Sequence, residues 1–111
     1  MANPREVVIV NGARTAIGDY GGSLKDIPPT ELGARVVSEA LARSKVDPAH
    51  VGQCVFGHVI HTEAKDMYLS RVAAVKGGLP QRRFTVSAPL SCGSPPYTAV
   101  TRDRYMTFAS V

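Results

Sequence analysis

The apolar residues of the first eighty positions alternate between two kinds of pattern. A continuous β-branched run at Val7–Val10 is typical of a strand buried on both faces. An apolar stripe at helical spacing follows up to Ser44, a β-rich run spans Val51–His61, and a second helical pattern covers Met67–Lys76. Strand and helix in alternation predict an α/β fold with a mainly parallel sheet and crossover helices, with a third strand around Phe84–Val86.

Start and stop signals agree with these elements. Thr30 is a suitable N-cap for the first helix, and Asp66 for the second, which Gly77-Gly78 ends. Between the first strand and the first helix, residues 12–29 are predicted to form a long loop. We expect Val7–Val10 and Val55-Phe56 to be inner strands. The predicted helical core residues are Leu32, Val36, Leu41, Leu69 and Val72.

Composition changes after Pro80 and divides the chain in two. Residues 1–81 form one segment, in which nine Lys/Arg and eight Asp/Glu up to residue 80 give a net charge of +1. Residues 82–111 form a divergent tail carrying Cys92, in which four Arg and one Asp give +3. Clustered prolines and the lack of a sustained period predict weak order over residues 95–111.

Bulk properties exclude several classes of protein. A hydrophobic content of 44% and a charged content of 20% are those of a globular protein. The apolar runs are too short to span a bilayer, and no signal or transit pattern begins the chain, which predicts a cytoplasmic location. The basic tail lacks a patterned Lys/Arg stripe, so no nucleic-acid partner is expected.

Cys92-Gly93-Ser94 is the candidate site for chemistry. A cysteine between a strand and a helix can have its thiolate favoured by the helix dipole, although this triplet taken alone favours an ordinary buried or loop cysteine. Cys54, inside an apolar strand, is expected to be inert and less accessible than Cys92. His58 and His61 would point to opposite faces of a strand, so a core or loop role is favoured and no metal site is predicted.

Several motifs occur in order along residues 5–81: Val7–Val10 with Gly12, Arg14–Gly18, Gly21–Asp26, Glu31–Gly33, Val55–Ile60 and Arg71–Gly78. With these motifs, residues 5–81 resemble the opening of a thiolase, and most closely that of the bacterial acetyl-CoA acetyltransferases (β-ketothiolases) of polyhydroxyalkanoate and acetoacetyl-CoA metabolism. Cys92 lies at the family's distance from these motifs, and the resemblance therefore implies that it is the nucleophile.

The resemblance implies a partial thiolase-like layered α/β/α/β/α fold, of which this chain has the N-terminal strands and helices. It implies an acyltransferase that condenses two acetyl-CoA to acetoacetyl-CoA, or thiolyses 3-ketoacyl-CoA, through an acyl-enzyme on Cys92. Coenzyme A thioesters are then substrates, with no bound cofactor, and the full-length enzyme is expected to be a homo-oligomer.

Two features depart from the family. The family's Asn-Arg pair before the cysteine is replaced by Pro89-Leu90, and Pro95 replaces a glycine after it. The histidine and second cysteine that the family uses, in Gly-His-Pro and Cys-x-Gly-Gly-Gly contexts, do not occur in these 111 residues. The isolated chain is therefore expected to be an inactive, incomplete part of a thiolase. The alternative is a non-catalytic α/β interaction module of thiolase ancestry.

Overall fold

The computed structural model describes residues 7–58, 60–81, 84–88, 97–102 and 105–110, the last three ranges by their backbone. Two short 3-10 turns, at Pro48–His50 and Ala64–Tyr68, interrupt the connections between helices and strands. The helices and strands in chain order are β1 Val8–Arg14, α1 Pro29–Ser44, β2 Gln53–Gly57, α2 Leu69–Lys76, β3 Phe84–Ala88, β4 Tyr97–Arg102 and β5 Tyr105–Ser110.

The described strands form one sheet in the order β1-β5-β4-β2-β3. β2 pairs in parallel with β3 and β1 in parallel with β5, whereas β4 is antiparallel to both β2 and β5. The sheet is therefore mixed, and the prediction of a mainly parallel sheet is wrong for this part of the chain. The third strand that was predicted around Phe84–Val86 is confirmed.

Two strands were predicted to lie inside the sheet, and the prediction is confirmed for one of them and wrong for the other. β2 lies between β3 and β4, so Val55-Phe56 is an inner strand as predicted. β1 lies at an edge of the described sheet, and Ile9 is 68% exposed while Val8 and Val10 are half-buried. This alternation is typical of a strand with one covered face, and α1 packs against β1.

Residues 97–102 and 105–110 form the strands β4 and β5, and the expectation of weak order over residues 95–111 stays a prediction. Their backbones pair from Tyr97 with Ser110 to Arg102 with Tyr105, as in a hairpin. Threonine, tyrosine, valine and phenylalanine dominate these two stretches, and such residues favour extended backbone. Sequence reasoning gave more weight to the neighbouring prolines than to this strand preference.

The helix ends agree closely with the predicted ones. α1 ends at Ser44 as expected, where Lys45 adopts a left-handed conformation with φ 55° and its N–H bonds Leu41 O. It begins at Pro29, so Pro28 is the N-cap residue instead of Thr30, whose side chain is buried. Proline suits the first turn because its missing N–H would have no helical partner. α2 is shorter than predicted, since Ala64–Tyr68 forms a 3-10 turn before it.

The core lies where α1 and α2 pack on each other and on β2. Its largest fully buried side chains include Phe56, Val37 and Val51, with Leu69, Ala73 and Leu79 beside them. Of the predicted helical core residues, Val36 and Leu69 are buried, whereas Leu32, Leu41 and Val72 are half-buried.

Two glycines allow the helices to approach so closely. A Cβ at Gly33 would lie 3.0 Å from Phe56 Cε1, and one at Gly77 would lie 2.6 Å from Val37 Cγ1. At the periphery of this contact, Lys76 Nζ donates to Glu31 Oε1 and joins the end of α2 to the start of α1. The ammonium of Lys76 holds the pKa of Glu31 below its usual value.

The outer surface of α2 is not covered by any described element. Tyr68, directly before α2, is 67% exposed, and Val75 within it is 37% exposed. Val7, Ile9, Ile17 and Ile60 are also largely exposed. Among the described residues, no helix is long and apolar enough to cross a membrane.

We predict that Gly77→Ala destabilises the fold by about 1–3 kcal/mol, the usual cost of overpacking. Gly77 has φ −77°, which alanine adopts without strain, so the cost arises from contact with Val37 and Ala73 O. Urea unfolding measures it. Ser38→Ala on the exposed face of α1 is the control, with an expected change within about 0.5 kcal/mol. Equal stabilities of the two variants would contradict the close helix contact.

Candidate functional site

Cys92 lies outside the residues that the structure describes, but its described neighbours along the chain converge on one place. Ala88, the last residue of β3, pairs with Gly57 at the carboxyl end of β2. On the other side of β2, Thr98 near the start of β4 pairs with Phe56. The carboxyl end of β2 is therefore the described region to which both strands flanking Cys92 in the sequence lead. In α/β folds, ligands commonly bind at such strand ends.

A buried carboxylate organises the connection that leaves this end of β2. Asp66 is fully buried, and its Oδ2 accepts hydrogen bonds from the backbone N–H of Thr62 at 3.0 Å, the Thr62 hydroxyl at 2.7 Å and the backbone N–H of Glu63 at 3.0 Å. These bonds hold the turn that precedes the 3-10 segment. The sequence placed Asp66 as the cap of α2, whereas it reaches back to the residues before Ala64–Tyr68.

The protonation state of Asp66 follows from two opposing effects. Burial alone would raise the pKa of its carboxyl group. The hydrogen bonds from Thr62 and Glu63, together with nearby His58, outweigh burial and hold the pKa below the ordinary value of 3.8. Asp66 is therefore ionised at neutral pH, and it accepts hydrogen bonds without donating any.

His58 faces this carboxylate directly after β2 ends. Its Nε2 lies 3.7 Å from Asp66 Oδ2, and its ring centroid is 5.0 Å from that of His61. The prediction that these two histidines point to opposite faces of a strand is wrong, because β2 ends at Gly57 and the chain turns. The loop role that was favoured for His58 agrees with this position.

Two buried polar atoms at this site have no hydrogen-bond partner among the described residues. They are His58 Nε2 and Asp66 Oδ1. Burying a polar atom without a hydrogen-bond partner costs free energy. These two atoms therefore mark this end of β2 as a place in the described structure where further polar groups could form hydrogen bonds. Within the described ranges, no three His, Cys, Asp or Glu side chains form a group suited to a metal ion.

Cys54 lies in the apolar core, unlike the polar residues at the end of β2. Its side chain is fully buried in the core, and burial raises the pKa of its thiol to about 12. A thiol in this state supplies almost no thiolate near neutral pH, and thiolate is the nucleophilic form. The prediction that Cys54 is an inert buried cysteine agrees with this environment. That the Cys92 thiol is more accessible than the Cys54 thiol stays a prediction.

A separate cavity of about 380 Å³ lies beneath the loop that follows β1. It is lined by Arg14–Gly18 together with Leu24 and Leu32. Arg14 is its charged residue and the rest of the lining is largely apolar, so the cavity offers apolar surface instead of a group of reactive side chains. The Gly21-Gly22 turn, at φ +68° for Gly21, lies in the same loop.

Sequence reasoning missed the cluster of Thr62, Asp66 and His58. A signal was present, since an acidic residue three positions after Glu63 resembles the reciprocal capping pattern at helix starts. That signal could indicate the turn, but not that the turn would bring Asp66 against His58. The contact depends on how the chain leaves β2, which is a tertiary feature.

Comparison with known proteins gives consistent results. Residues 7–103 match the family described as thiolase, N-terminal domain, so the match passes residue 81 and includes Cys92. The chain is 59% identical over 90 residues to the β-ketothiolase BktB of Cupriavidus necator, covering 81% of this chain and 23% of that protein. It is 44% identical over 89 residues to an acetyl-CoA acetyltransferase of the same organism, of which it covers 22%.

Two further relatives extend the comparison. An acetyl-CoA acetyltransferase of Clostridioides difficile is 33% identical over 90 residues, covering 81% of this chain and 83% of that protein. The crystal structure of the Bacillus anthracis acetyl-CoA acetyltransferase superimposes with a TM-score of 0.63 and 32% identity, over 70% of this chain and 20% of that one. The chain thus spans less than a quarter of the length of the two Cupriavidus relatives.

We predict that Asp66→Asn lowers the free energy of unfolding by about 1–3 kcal/mol, because all three hydrogen bonds go to Oδ2 and a neutral amide oxygen accepts them more weakly than a charged carboxylate oxygen. Urea unfolding at neutral pH measures the loss. Asp26→Asn, at an exposed position of the loop, is the matched control.

The same substitution should change the response to acid. The folded pKa of Asp66 is lowered, so its contribution to stability is present above the unfolded value of 3.8 and is lost as pH falls through the folded value. The difference between the unmodified chain and Asp66→Asn should therefore shrink at acidic pH. A difference that is constant across this range would show that the charge of Asp66 does not contribute.

Proposed function

The chain belongs to the thiolase family, and we propose that it supplies the nucleophile-bearing N-terminal part of a thiolase-type acyltransferase. The observation that carries the proposal is the family match over residues 7–103, which includes Cys92, together with relatives named β-ketothiolase and acetyl-CoA acetyltransferase. The structural likeness to the Bacillus anthracis enzyme confirms the predicted partial thiolase-like α/β fold.

The proposed reaction condenses two acetyl-CoA to acetoacetyl-CoA, or in reverse thiolyses a 3-ketoacyl-CoA. The Cys92 thiolate attacks the thioester carbonyl and coenzyme A leaves as its thiolate, which gives an acyl-enzyme. A second acetyl-CoA, deprotonated at its methyl carbon, then attacks that acyl group and releases the cysteine. Coenzyme A thioesters are substrates in this scheme, and no bound cofactor takes part.

The cysteine assignment is supported by the described residues around it. Of the two cysteines in the sequence, Cys54 is fully buried with a raised thiol pKa, which disfavours it as a nucleophile. The strands that precede and follow Cys92 both pair with the carboxyl end of β2. A nucleophile between these strands would belong to the end of the sheet that carries His58 and Asp66.

Activity is proposed only for the chain combined with the remainder of a thiolase. The histidine and the second cysteine of the family occur in motifs that the 111 residues lack. We further propose a cytoplasmic location, which is supported by the name of a mouse relative, a cytosolic acetyl-CoA acetyltransferase 42% identical over 88 residues. We also propose a role in fatty acid or polyhydroxyalkanoate metabolism, in line with the β-ketothiolase relative, and homo-oligomer formation by the complete enzyme, which rests on the family resemblance alone.

We predict that the purified 111-residue chain shows no cleavage of acetoacetyl-CoA above the rate without protein. A fusion in which residues 7–103 replace the matching region of the Cupriavidus necator β-ketothiolase should be active. Cys92→Ser in that fusion should abolish turnover, because serine is a far weaker nucleophile without thiolate character.

Cys54→Ser in the same fusion is the matched control, and it should keep turnover if the fusion remains folded. Turnover that survives Cys92→Ser would contradict the nucleophile assignment. A soluble, folded fusion without activity would favour the alternative of a non-catalytic interaction module with thiolase ancestry.

A further inference from the structure

The Asn11-Gly12 pair in β1 combines exposure with an unusual local contact. Both residues are exposed, and the Gly12 backbone N–H donates a hydrogen bond to the Oδ1 of Asn11 at 2.8 Å. The backbone nitrogen of Gly12 is therefore held next to the side-chain carbonyl of the residue before it. The Asn11 side-chain amide nitrogen donates in turn to Arg43 O at 3.3 Å, near the end of α1.

This arrangement brings together the two groups that react in the deamidation of asparagine. The backbone nitrogen that follows an asparagine can attack the side-chain carbonyl carbon and close a five-membered ring. A following glycine has no Cβ to obstruct the attack and gives the backbone the freedom to reach ring geometry. We propose that Asn11 is a site of spontaneous covalent modification, which converts it to aspartate and isoaspartate through a succinimide.

Water is the co-reactant, and the step involves no redox change. The Gly12 nitrogen loses its proton to base and forms a bond to Asn11 Cγ. The bond from Cγ to Nδ2 breaks, and the nitrogen leaves as ammonia. Water then adds to one of the two ring carbonyls. Opening at one side gives aspartate, and opening at the other gives isoaspartate, in which the main chain runs through the former side chain.

Either product disturbs the contact between β1 and α1. The amide that donates to Arg43 O becomes a carboxylate, which cannot donate and carries a negative charge. The carboxyl end of a helix already has partial negative charge, so the new group is repelled there. Isoaspartate also inserts an extra main-chain atom before the pairs that join Gly12 to Phe108 and Ala13 to Ala109. Modification should therefore loosen β1 from the sheet.

The sequence contains its own control for the reaction. Asn3 is the other asparagine, and Pro4 follows it. The proline nitrogen carries no hydrogen and is held in a ring, so it cannot form the succinimide. Asn3 and Asn11 are exposed to the same buffer during an incubation. A difference in their extents of deamidation therefore reports the effect of the following residue, which is Pro4 in one case and Gly12 in the other.

The test incubates the folded 111-residue chain in mildly alkaline buffer and follows Asn11 and Asn3 by peptide mass spectrometry with isoaspartate detection. Asn11 should convert with isoaspartate as a product, while Asn3 stays intact. Gly12→Ala should lose most of this conversion, and Asn11→Ser should lose it completely. Asn11→Asp, which imitates one product, should lower the melting temperature by a few degrees.

A chain unfolded in urea is incubated alongside. If Asn11 converts in the unfolded chain but stays intact in the folded one, the fold protects the pair and the proposal is wrong. Conversion that is unaffected by Gly12→Ala would also contradict it, because the Gly12 nitrogen would then not be decisive.

Discussion

The close approach of α1 and α2 over Phe56 is the constraint on which the described structure depends. A Cβ at Gly77 would collide with Val37, and one at Gly33 would press tightly on Phe56, so the lack of a Cβ at these two positions favours the close approach of the helices. Phe56 fills the space between the helices and β2 and is almost fully buried. Packing at this density is sensitive to single methyl groups. The two helices and β2 are therefore expected to form and open together.

That packing also fixes the region proposed for chemistry. The Ser70 Oγ accepts a hydrogen bond from the buried Phe56 N–H at 3.2 Å and so ties the first turn of α2 to β2. The segment between them is short, and Asp66 closes it with three hydrogen bonds, which leaves His58 against the carboxylate. The carboxyl end of β2 thus has a defined polar environment in which the proposed nucleophile segment would begin. In this account, core packing positions the site.

The sequence predicted those parts of the fold that local patterns determine. The end of α1 at Ser44 and the stop at Gly77-Gly78 follow from capping chemistry, and β2 and β3 follow from short apolar runs. The edge position of β1 could not be predicted, because Val7–Val10 has the same pattern whether one face or both are covered. The contact of His58 with Asp66 also could not be predicted from the sequence, because it depends on the path of the chain after Gly57. Cys92 was identified by resemblance to a family and not by local chemistry.

We infer that α1, β2 and α2 form one cooperative unit. Native-state hydrogen exchange tests it most directly, because it reports the opening free energy at individual amides. We expect the amides of Val37, Phe56 and Ala73 to exchange through one shared opening, with equal free energies and equal dependence on denaturant. A much smaller opening free energy at Ala73 than at Val37 would show that α2 detaches on its own, and would contradict the claim.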